Sequence, residues 1–222
     1  MMRSSFPEGF EPERMLYSGA ESQIWLGRWM ERRAVLKLRA PKRYRDAQLD
    51  DALRRSRTAA ESISLHECKR AGVRAPHVYH VNAKDGVMLM SYVEGRTLTD
   101  LLRSGDFSWA RSAGASIGRL HAQGISHGDL TPSNLLVSDG DLVLLDFGLS
   151  ERTGDVEKFA EDLNVMLGSL QSLVGERWTS AWAEFESGYL ESGSSACAAA
   201  VERLKQVRGR GRYRRKSERR YR

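Results

Sequence analysis

The first part of the chain contains short apolar runs separated by polar residues, which is the pattern of β-strands joined by turns. Between them, Leu49–Ala71 has no internal glycine or proline, carries Asp50 and Asp51 in its first turn and is followed by Gly72, which predicts a helix. We therefore predict a small antiparallel sheet with one long helix. The predicted strands contain Met15–Tyr17, Ile24–Leu26, Ala34–Leu38, Val78–Tyr79 and Val87–Tyr92.

After Gly95 the apolar residues recur every three to four positions, which predicts helices. The predicted helices cover Leu98–Arg103, Trp109–Ala122, a stretch capped by Asp155 and stopped by Gly175, the repeat from Trp178 to Tyr189, and about Ser195–Val207. This order predicts an α+β fold with an N-terminal lobe over residues 1–92, a helical C-terminal lobe over residues 93–207 and a basic flexible tail over residues 208–222.

A polar loop and a hairpin interrupt the helical half between Ile125 and Ser150. Apolar runs flank Asp139-Gly140, which is a strong hairpin signal. Because a hairpin brings its two ends together, Asp129 and Asn134 at its entrance are expected to meet Asp146 at its exit. Converging carboxylate and amide oxygens can hold a divalent metal and orient a hydroxyl or a water, as phosphoryl transfer requires.

The spacing of these residues matches the signature of protein kinases: His-x-Asp-x-x-x-x-Asn, a hairpin and then Asp-Phe-Gly. In that chemistry Asp129 orients the acceptor and takes its proton, while Asn134 and Asp146 hold Mg²⁺ on the phosphates of ATP. Asp and Asn most often only cap turns, but the joint match at the right spacing favours the catalytic interpretation.

Lys37 lies near the end of the third predicted strand, where it can reach the α- and β-phosphates. Glu61, inside the long helix, can pair with Lys37 and fix its position. Glu67 is the alternative partner, although it lies close to the helix end. Most Lys and Glu side chains are solvated surface charges, so these roles depend on the signature downstream.

Two further segments are predicted to contact the nucleotide. The first turn has one glycine where protein kinases have several, so phosphate contact through its backbone and a plain hairpin turn are equally good interpretations. The segment that joins the lobes can bind adenine through its backbone. The residues concerned are Gly19, Ala20, Glu21, Met90, Tyr92 and Val93. Asp162 is expected to be a buried carboxylate that braces the catalytic loop.

The net charge of +6 is unevenly distributed. Residues 203–222 carry eleven Lys and Arg against one acid, a charge of +10, so the rest of the chain has a charge of −4. Glycines alternate with arginines here, which predicts an irregular segment that binds the phosphate backbone of RNA, with a solubilising tail as the alternative. The arginines concerned are Arg208, Arg210, Arg212, Arg214 and Arg215.

The composition excludes several classes of protein. There is no run of about 18 apolar residues, which argues against a membrane span, and no basic-then-apolar signal pattern, which leaves the cytoplasm as the expected location. Cys68 and Cys197 are too few for a disulfide framework or a zinc site and are expected to be buried thiols.

One set of motifs extends over nearly the whole chain: Gly19-Ala20-Glu21, Lys37, Lys42-x-Tyr44-Arg45, Leu49-Asp50, Arg57-x-x-x-Glu61, His127-Gly128-Asp129-Leu130-Thr131-x-Ser133-Asn134, Asp146-Phe147-Gly148-Leu149, Asp162-Leu163 and Arg208-Gly209-Arg210. In these motifs the chain resembles the small atypical kinase subunit of the KEOPS (EKC) complex. The resemblance implies a minimal kinase fold, ATP hydrolysis or phosphorylation in support of tRNA threonylcarbamoyladenosine formation, and binding to the larger ASKHA-fold catalytic subunit. It also makes tRNA the expected partner of the basic tail.

The segment after Asp146 departs from that of typical protein kinases. Asp162 follows Asp146 by sixteen positions and no Ala-Pro-Glu lies between them, so a peptide-docking activation segment is essentially absent. This favours a nucleotide switch or an ATPase over a general protein kinase. Two alternatives remain: a small-molecule phosphotransferase of the aminoglycoside or choline kinase type, and a non-catalytic RNA-binding scaffold with a kinase fold.

Overall fold

The computed structural model of the chain describes residues 6–19, 21–42 and 44–218, with residues 210–218 described by their backbone alone. A β-rich lobe precedes a helical lobe, and residues 92–95, which belong to no strand or helix, connect them. This order confirms the predicted α+β architecture. The strands are β1 Phe10–Ser18, β2 Gln23–Trp29, β3 Arg32–Leu38, β4 Val78–Asn82, β5 Val87–Ser91, β6 Arg96–Thr97, β7 Ile125–Ser126, β8 Leu135–Ser138, β9 Asp141–Leu144 and β10 Glu151–Arg152. The helices are α1 Ala47–Arg70, α2 Leu98–Arg103, α3 Ala110–Ala122, α4 Val156–Val174, α5 Trp178–Leu190 and α6 Ser195–Glu218.

The N-terminal lobe is one antiparallel sheet with the strand order β1-β2-β3-β5-β4. Side chains alternate between its faces along β3. Ala34 and Leu36 are fully buried in a small core on one face, together with residues of β1 and β5. Val35 packs against the main core of the molecule, and Lys37 has the same parity as Val35. The alternation therefore places Lys37 on the face of the sheet that packs against the main core.

Helix α1 begins two residues before the predicted position, because Asp46 is its N-cap. The Asp46 carboxylate accepts hydrogen bonds from the backbone N–H groups of Gln48 and Leu49, both at 3.0 Å. The helix buries Leu65 and Cys68 against the sheet and the main core. Glu61, one turn before Leu65, is carried into the same interface.

The predicted hairpin around Asp139-Gly140 is present as β8 and β9, paired from Leu135 with Leu144 to Ser138 with Asp141. Both turn residues have positive φ, 51° and 74°, as a tight hairpin turn requires. The pairing register places Asn134 and Leu145 opposite each other, and the Leu145 N–H donates to the Asn134 carbonyl at 2.8 Å. The entrance and exit of the hairpin therefore meet, as predicted.

Helices α3 and α5 pack closely and hold the C-terminal lobe together. A β-carbon at Gly118 of α3 would lie 2.3 Å from the carbonyl oxygen of Tyr189 in α5, so only glycine permits this approach. The contact places the buried Tyr189 ring at an edge-on angle to His121, with ring centroids 5.5 Å apart. The long helix capped by Asp155 completes the main core.

The last helix is longer than predicted. Helix α6 continues to Glu218, so the prediction that alternating glycines and arginines prevent a regular helix beyond Val207 was wrong for the backbone of residues 208–218. Arg and Lys are good helix formers, and two glycines do not terminate a helix that packing has already nucleated. That packing involves α4, where Arg203 pairs with Glu157 and Arg208 donates to Gln171 at 3.1 Å.

Both cysteines are buried free thiols, as expected. Burial raises the pKa of the Cys68 thiol to about 12, so this thiol is protonated at neutral pH. Within residues 6–19, 21–42 and 44–218, no helix combines the length and the apolar character needed to cross a membrane.

Candidate nucleotide-binding site

A group of ionised side chains, buried except for Asp146, lies where β3, α1 and the hairpin exit meet. Lys37 Nζ lies 2.8 Å from Glu61 Oε1 and 2.6 Å from Asp146 Oδ1. Lys37 is 5% exposed and Glu61 is 1% exposed. The anticipated contact between these two residues is therefore present. The alternative partner, Glu67, instead pairs with Arg152 at 2.9 Å.

Arg39 is a member of this group that the sequence analysis missed. Its Nη2 lies 2.6 Å from Glu61 Oε2, so the two oxygens of one buried carboxylate are held by two different cations. The available signal was position: two residues after Lys37, a side chain at the end of a strand returns to the same face.

Asp146 adopts a left-handed backbone conformation with φ of 51°. Its Oδ1 accepts a hydrogen bond from the Gly148 N–H at 3.1 Å in addition to the contact with Lys37. Partial burial would raise the pKa of Asp146, but the charge and hydrogen bond of Lys37 outweigh it and hold this pKa below its ordinary value. Asp146 is therefore fully ionised at neutral pH.

The loop that carries Asp129 is held from below by Asp162. The backbone N–H groups of His127 and Gly128 donate to its two carboxylate oxygens at 2.6 and 2.8 Å. Gly128 has φ of 80°, and a β-carbon there would lie 2.1 Å from the carbonyl oxygen of Leu149, so glycine is required. The expectation that Asp162 braces this loop is confirmed.

His121 extends this bracing to helix α5. Its Nε2 lies 3.1 Å from Asp162 Oδ2, and its Nδ1 lies 2.8 Å from the Tyr189 hydroxyl. Burial lowers the pKa of His121 and outweighs the opposing effect of Asp162, so the ring is neutral. The carboxylate partner assigns the single ring proton to Nε2, and Nδ1 then accepts from Tyr189.

Asn134 connects Asp129 with a cavity of about 280 Å³ between the lobes. Its Nδ2 donates to the Asp129 carbonyl at 2.8 Å and to Asp129 Oδ2 at 3.1 Å. Donation through Nδ2 leaves the amide oxygen as an acceptor. The cavity is lined by Leu16, Ile24, Val35, Lys37, Glu61, Leu65, Pro76, Met90, Ser91, Tyr92, Val93, Asn134, Leu145 and Asp146.

The chemistry of these donors fits Mg²⁺. A carboxylate on Asp146 and an amide oxygen on Asn134 border one cavity, and Mg²⁺ prefers such oxygen ligands. In the part of the chain that the structure describes, no group of three or more His, Cys, Asp or Glu side chains is arranged to hold a metal. Asn134 and Asp146 would supply two ligands of such a metal, and Mg²⁺ usually completes its coordination with water and phosphate oxygens.

Comparison with known proteins agrees with this geometry. Residues 13–180 match the protein kinase domain. The KEOPS complex subunit Bud32 of Pyrococcus abyssi is 33% identical over 215 residues, which cover 92% of this chain and 98% of that protein. The chain belongs to the Bud32 family.

Longer proteins are also similar to this Bud32-family chain. A probable bifunctional tRNA threonylcarbamoyladenosine biosynthesis protein of Methanobrevibacter smithii is 36% identical over 202 residues. A protein of the same description from Methanothermobacter thermautotrophicus is 36% identical over 206 residues. Each match covers 91% of this chain, which therefore spans little more than a third, 37%, of the length of these two relatives.

A solved structure confirms the fold. The Rio2 kinase of Chaetomium thermophilum, described as a complex with ADP/Mg²⁺ and phosphoaspartate, superposes with a TM-score of 0.59 at 16% sequence identity. The superposition covers 90% of this chain and 72% of the Rio2 chain. The kinase fold predicted from the signature motifs is therefore correct.

The predicted phosphate contacts of the first turn, at Gly19, Ala20 and Glu21, stay a prediction. Neither Gly19 nor Glu21 lines the cavity, and Ala20 lies outside the described residues. Glu21 instead pairs with Lys42 at 3.1 Å and with Arg57 at 2.8 Å. The hydrogen bond from Lys42 holds the pKa of Glu21 below its ordinary value. The cavity is closed on this side by Leu16 and Ile24 in the flanking strands.

The predicted adenine-binding residues Met90, Tyr92 and Val93 all line the cavity. A larger and more open depression of about 840 Å³ also borders Tyr92 and Val93, but its lining includes neither Lys37 nor Asp146. The smaller cavity is the candidate site because the ionised groups face it.

The predicted RNA-binding arginines belong to α6, the helix whose first part packs against α4. Arg208 lies against α4 through Gln171. The side chains of Arg210, Arg212, Arg214 and Arg215 lie outside the described residues, although their backbone belongs to α6. Contact between these arginines and RNA stays a prediction.

Proposed function

We propose that this chain binds Mg·ATP between its lobes and transfers or hydrolyses the terminal phosphoryl group. The observation that carries the proposal is the position of Lys37, held between Glu61 and Asp146 at a cavity that Asn134 also borders. The kinase fold and the family membership support it. A buried lysine, a carboxylate and an amide around one interlobe cavity are the groups that phosphoryl transfer uses.

Each residue then has a distinct task. Lys37 binds the α- and β-phosphates, and Asn134 and Asp146 hold Mg²⁺, which neutralises charge on the phosphates when bound. Asp129 orients the acceptor hydroxyl or water and takes its proton; Asn134 fixes the Asp129 carboxylate through the 3.1 Å hydrogen bond. The backbone of Met90–Val93 holds adenine in this proposal, and phosphate contact through the backbone of Gly19, Ala20 and Glu21 stays a prediction.

The acceptor is water or a group brought by a partner, because the chain has little surface on which to dock a peptide. Asp162 already belongs to α4, which begins at Val156, ten residues after Asp146.

The alternatives from the sequence are not favoured. A non-catalytic scaffold with a kinase fold would be expected to lack at least one catalytic side chain. All four are present: Lys37, Asp129, Asn134 and Asp146.

We further propose that this activity supports tRNA threonylcarbamoyladenosine formation within a KEOPS-like complex. The names of the relatives in Pyrococcus, Methanobrevibacter and Methanothermobacter support this context. The partner that the family resemblance implies is the larger ASKHA-fold catalytic subunit. We expect the two proteins to elute together in size-exclusion chromatography, and ATP turnover to rise when the partner and tRNA are added. Separate elution at micromolar concentration would contradict the assignment of this partner.

The test of the catalytic assignment is Asp129→Ala. ATP turnover should fall by at least about 100-fold, because a positioned proton acceptor contributes that much or more. Mg·ATP affinity, measured by isothermal titration calorimetry, should stay unchanged, since Asp129 does not hold the nucleotide. The matched control is Asp141→Ala, an exposed aspartate at the start of β9, which should turn over ATP at the wild-type rate. Equal turnover in the Asp129 and Asp141 variants would contradict the assignment.

The basic end of α6 is the second part of the proposal. Replacing Arg212, Arg214 and Arg215 by Gln should weaken tRNA binding and reduce the slope of log affinity against log salt by about 2, because fewer phosphates are neutralised. A triple control at exposed positions elsewhere, Arg28, Arg32 and Lys84 to Gln, changes the net charge by the same amount. Equal slopes of log affinity against log salt in both variants would contradict RNA binding by this segment and favour the solubilising tail.

A further inference from the structure

Arg39 occupies a position that stability alone does not explain. It is 7% exposed, and its Nη2 contacts Glu61 Oε2 at 2.6 Å. Its other terminal nitrogen, Nη1, is buried and has no hydrogen-bond partner among the residues that the structure describes. A buried donor without an acceptor is unfavourable, and an apolar side chain of similar volume would avoid that penalty. The presence of an arginine at this position therefore points to a role for its charge.

The guanidinium lies beside the turn that presents Asp146. A β-carbon placed on Gly148 would be 3.1 Å from Arg39 Nη2, 3.0 Å from Asp146 Oδ1 and 3.5 Å from Lys37 Nζ. The Gly148 backbone therefore packs directly against Arg39 and the other two charged groups. A displacement of Arg39 would therefore remove a packing contact of the turn that carries Asp146.

The charges in this group balance only when Arg39 is included. Lys37 and Arg39 contribute two positive charges, and Glu61 and Asp146 contribute two negative charges. Without Arg39 the group would carry one net negative charge next to the cavity, which disfavours a polyanionic ligand. Glu61 would also depend on Lys37 alone, and a buried carboxylate left without its cation is strongly unfavourable.

We propose that Arg39 is a positioning residue of the nucleotide site and acts as the permanent counter-charge of Glu61. Because Arg39 holds one oxygen of Glu61 throughout, Lys37 is free to shift from Asp146 towards the phosphates without leaving Glu61 unpaired. The same guanidinium supports the Asp146–Gly148 turn in the conformation that binds metal. This inference rests on the proposed function and deepens it, since it names a residue that tunes phosphate and metal affinity without contacting the reaction.

The experiment compares wild type, Arg39→Met and Arg39→Lys in calorimetric titrations with Mg·ATP and with adenosine. Arg39→Met should weaken Mg·ATP binding about 10–100-fold, as loss of a supporting partner behind a metal ligand typically does. Adenosine has no phosphate, so its affinity should stay at the wild-type value. Arg39→Lys keeps the charge and should recover most of the Mg·ATP affinity. Should Arg39→Met not fold, Arg39→Gln keeps a hydrogen bond to Glu61 without the charge and should show the same selective loss.

The matched control is Arg54→Met. Arg54 lies on α1 and pairs with the buried Asp50 at 3.1 Å, but it does not line the cavity. Its Mg·ATP and adenosine affinities should both be unchanged. A parallel loss of both ligands in Arg39→Met, or wild-type Mg·ATP affinity in that variant, would overturn the role of Arg39 and leave the proposed function intact. Failure of the wild-type protein to bind Mg·ATP would overturn the proposed function and this inference together.

Discussion

Two largely buried polar clusters support the two halves of the candidate site, and they are built differently. The ionic cluster consists of Lys37, Arg39, Glu61 and Asp146. The loop-bracing cluster consists of His121, Asp162, Tyr189 and the backbone N–H groups of His127 and Gly128. In the first, charged side chains pair with one another. In the second, one carboxylate is surrounded by neutral donors, two of them fixed in the main chain.

The difference indicates which half can respond to a ligand. Lys37 has two acceptors within 2.8 Å and can change partners, because every group in its cluster is a side chain. Asp162 cannot exchange partners in this way, since two of the groups it accepts from are main-chain N–H groups that the loop backbone holds in place. The ionic cluster is therefore suited to bind phosphate and metal, and the loop-bracing cluster to hold Asp129 in one place.

The strongest test of this comparison removes the centre of the loop-bracing cluster. Asp162→Ala leaves two buried donors, on His121 and His127, and a third on the partly exposed Gly128 without this acceptor. The free energy of unfolding, measured by urea denaturation, should therefore fall by about 5 kcal/mol. Glu161→Ala is the matched control on the same helix: Glu161 makes an exposed ion pair with Lys158 at 3.4 Å, and its loss should cost less than about 1 kcal/mol. A similarly small loss of unfolding free energy in both variants would show that the catalytic loop keeps its conformation without Asp162.

The corresponding change in the ionic cluster is Glu61→Gln. The free energy of unfolding should fall by about 3 kcal/mol, less than for Asp162→Ala, because the amide keeps one acceptor oxygen and Lys37 keeps Asp146. Glu67→Gln, on the same helix but paired with the exposed Arg152, should lose less than about 1 kcal/mol. If Glu61→Gln proved at least as stable as wild type, the carboxylate would be retained for function at the expense of stability.

The sequence predicts the parts of this arrangement that depend on neighbouring residues. The Asp139-Gly140 hairpin, the Asp155 cap and the meeting of Asn134 with the hairpin exit follow from local pattern, and the structure has all three. Arg39 and the role of Tyr189 were missed because their partners lie 22 and 68 positions away, and the kinase signature that led to the Lys37–Glu61 pair includes neither residue. The end of α6 was mispredicted because local glycine content was weighed without the packing that precedes it.

The two clusters should also differ in their response to pH. Burial lowers the pKa of His121 below its ordinary 6.5, with the neighbouring His127 acting in the same direction and Asp162 opposing it. The unfolded chain therefore binds a proton below pH 6.5 that the folded chain does not, and stability falls as the pH falls, by at most about 1.4 kcal/mol per pH unit from this group. The lowered pKa of Asp146 lies below 3.8, so the contribution of that carboxylate stays constant over the same range.

Urea denaturation between pH 5 and 7 checks this expectation. His121→Gln should flatten the dependence of the unfolding free energy on pH, whereas His66→Gln, an exposed histidine on α1, should leave it as in the wild type. An unchanged slope in the His121 variant would mean that another group titrates in this window and that the loop-bracing cluster is not acid-sensitive.

The smallest change tests how far the loop-bracing cluster extends. Tyr189→Phe removes only the hydroxyl that lies 2.8 Å from His121 Nδ1, and the free energy of unfolding should fall by about 1 kcal/mol, the net value of one hydrogen bond. If α5 orients the catalytic loop through His121, ATP turnover at saturating Mg·ATP should also fall while the affinity for Mg·ATP stays constant, because the ionic cluster is untouched. A loss of stability with unchanged turnover would place the boundary of the cluster at Asp162. In that case Asp129 and its loop alone would determine ATP turnover independently of Mg·ATP affinity, and α5 would serve only to pack the helical lobe.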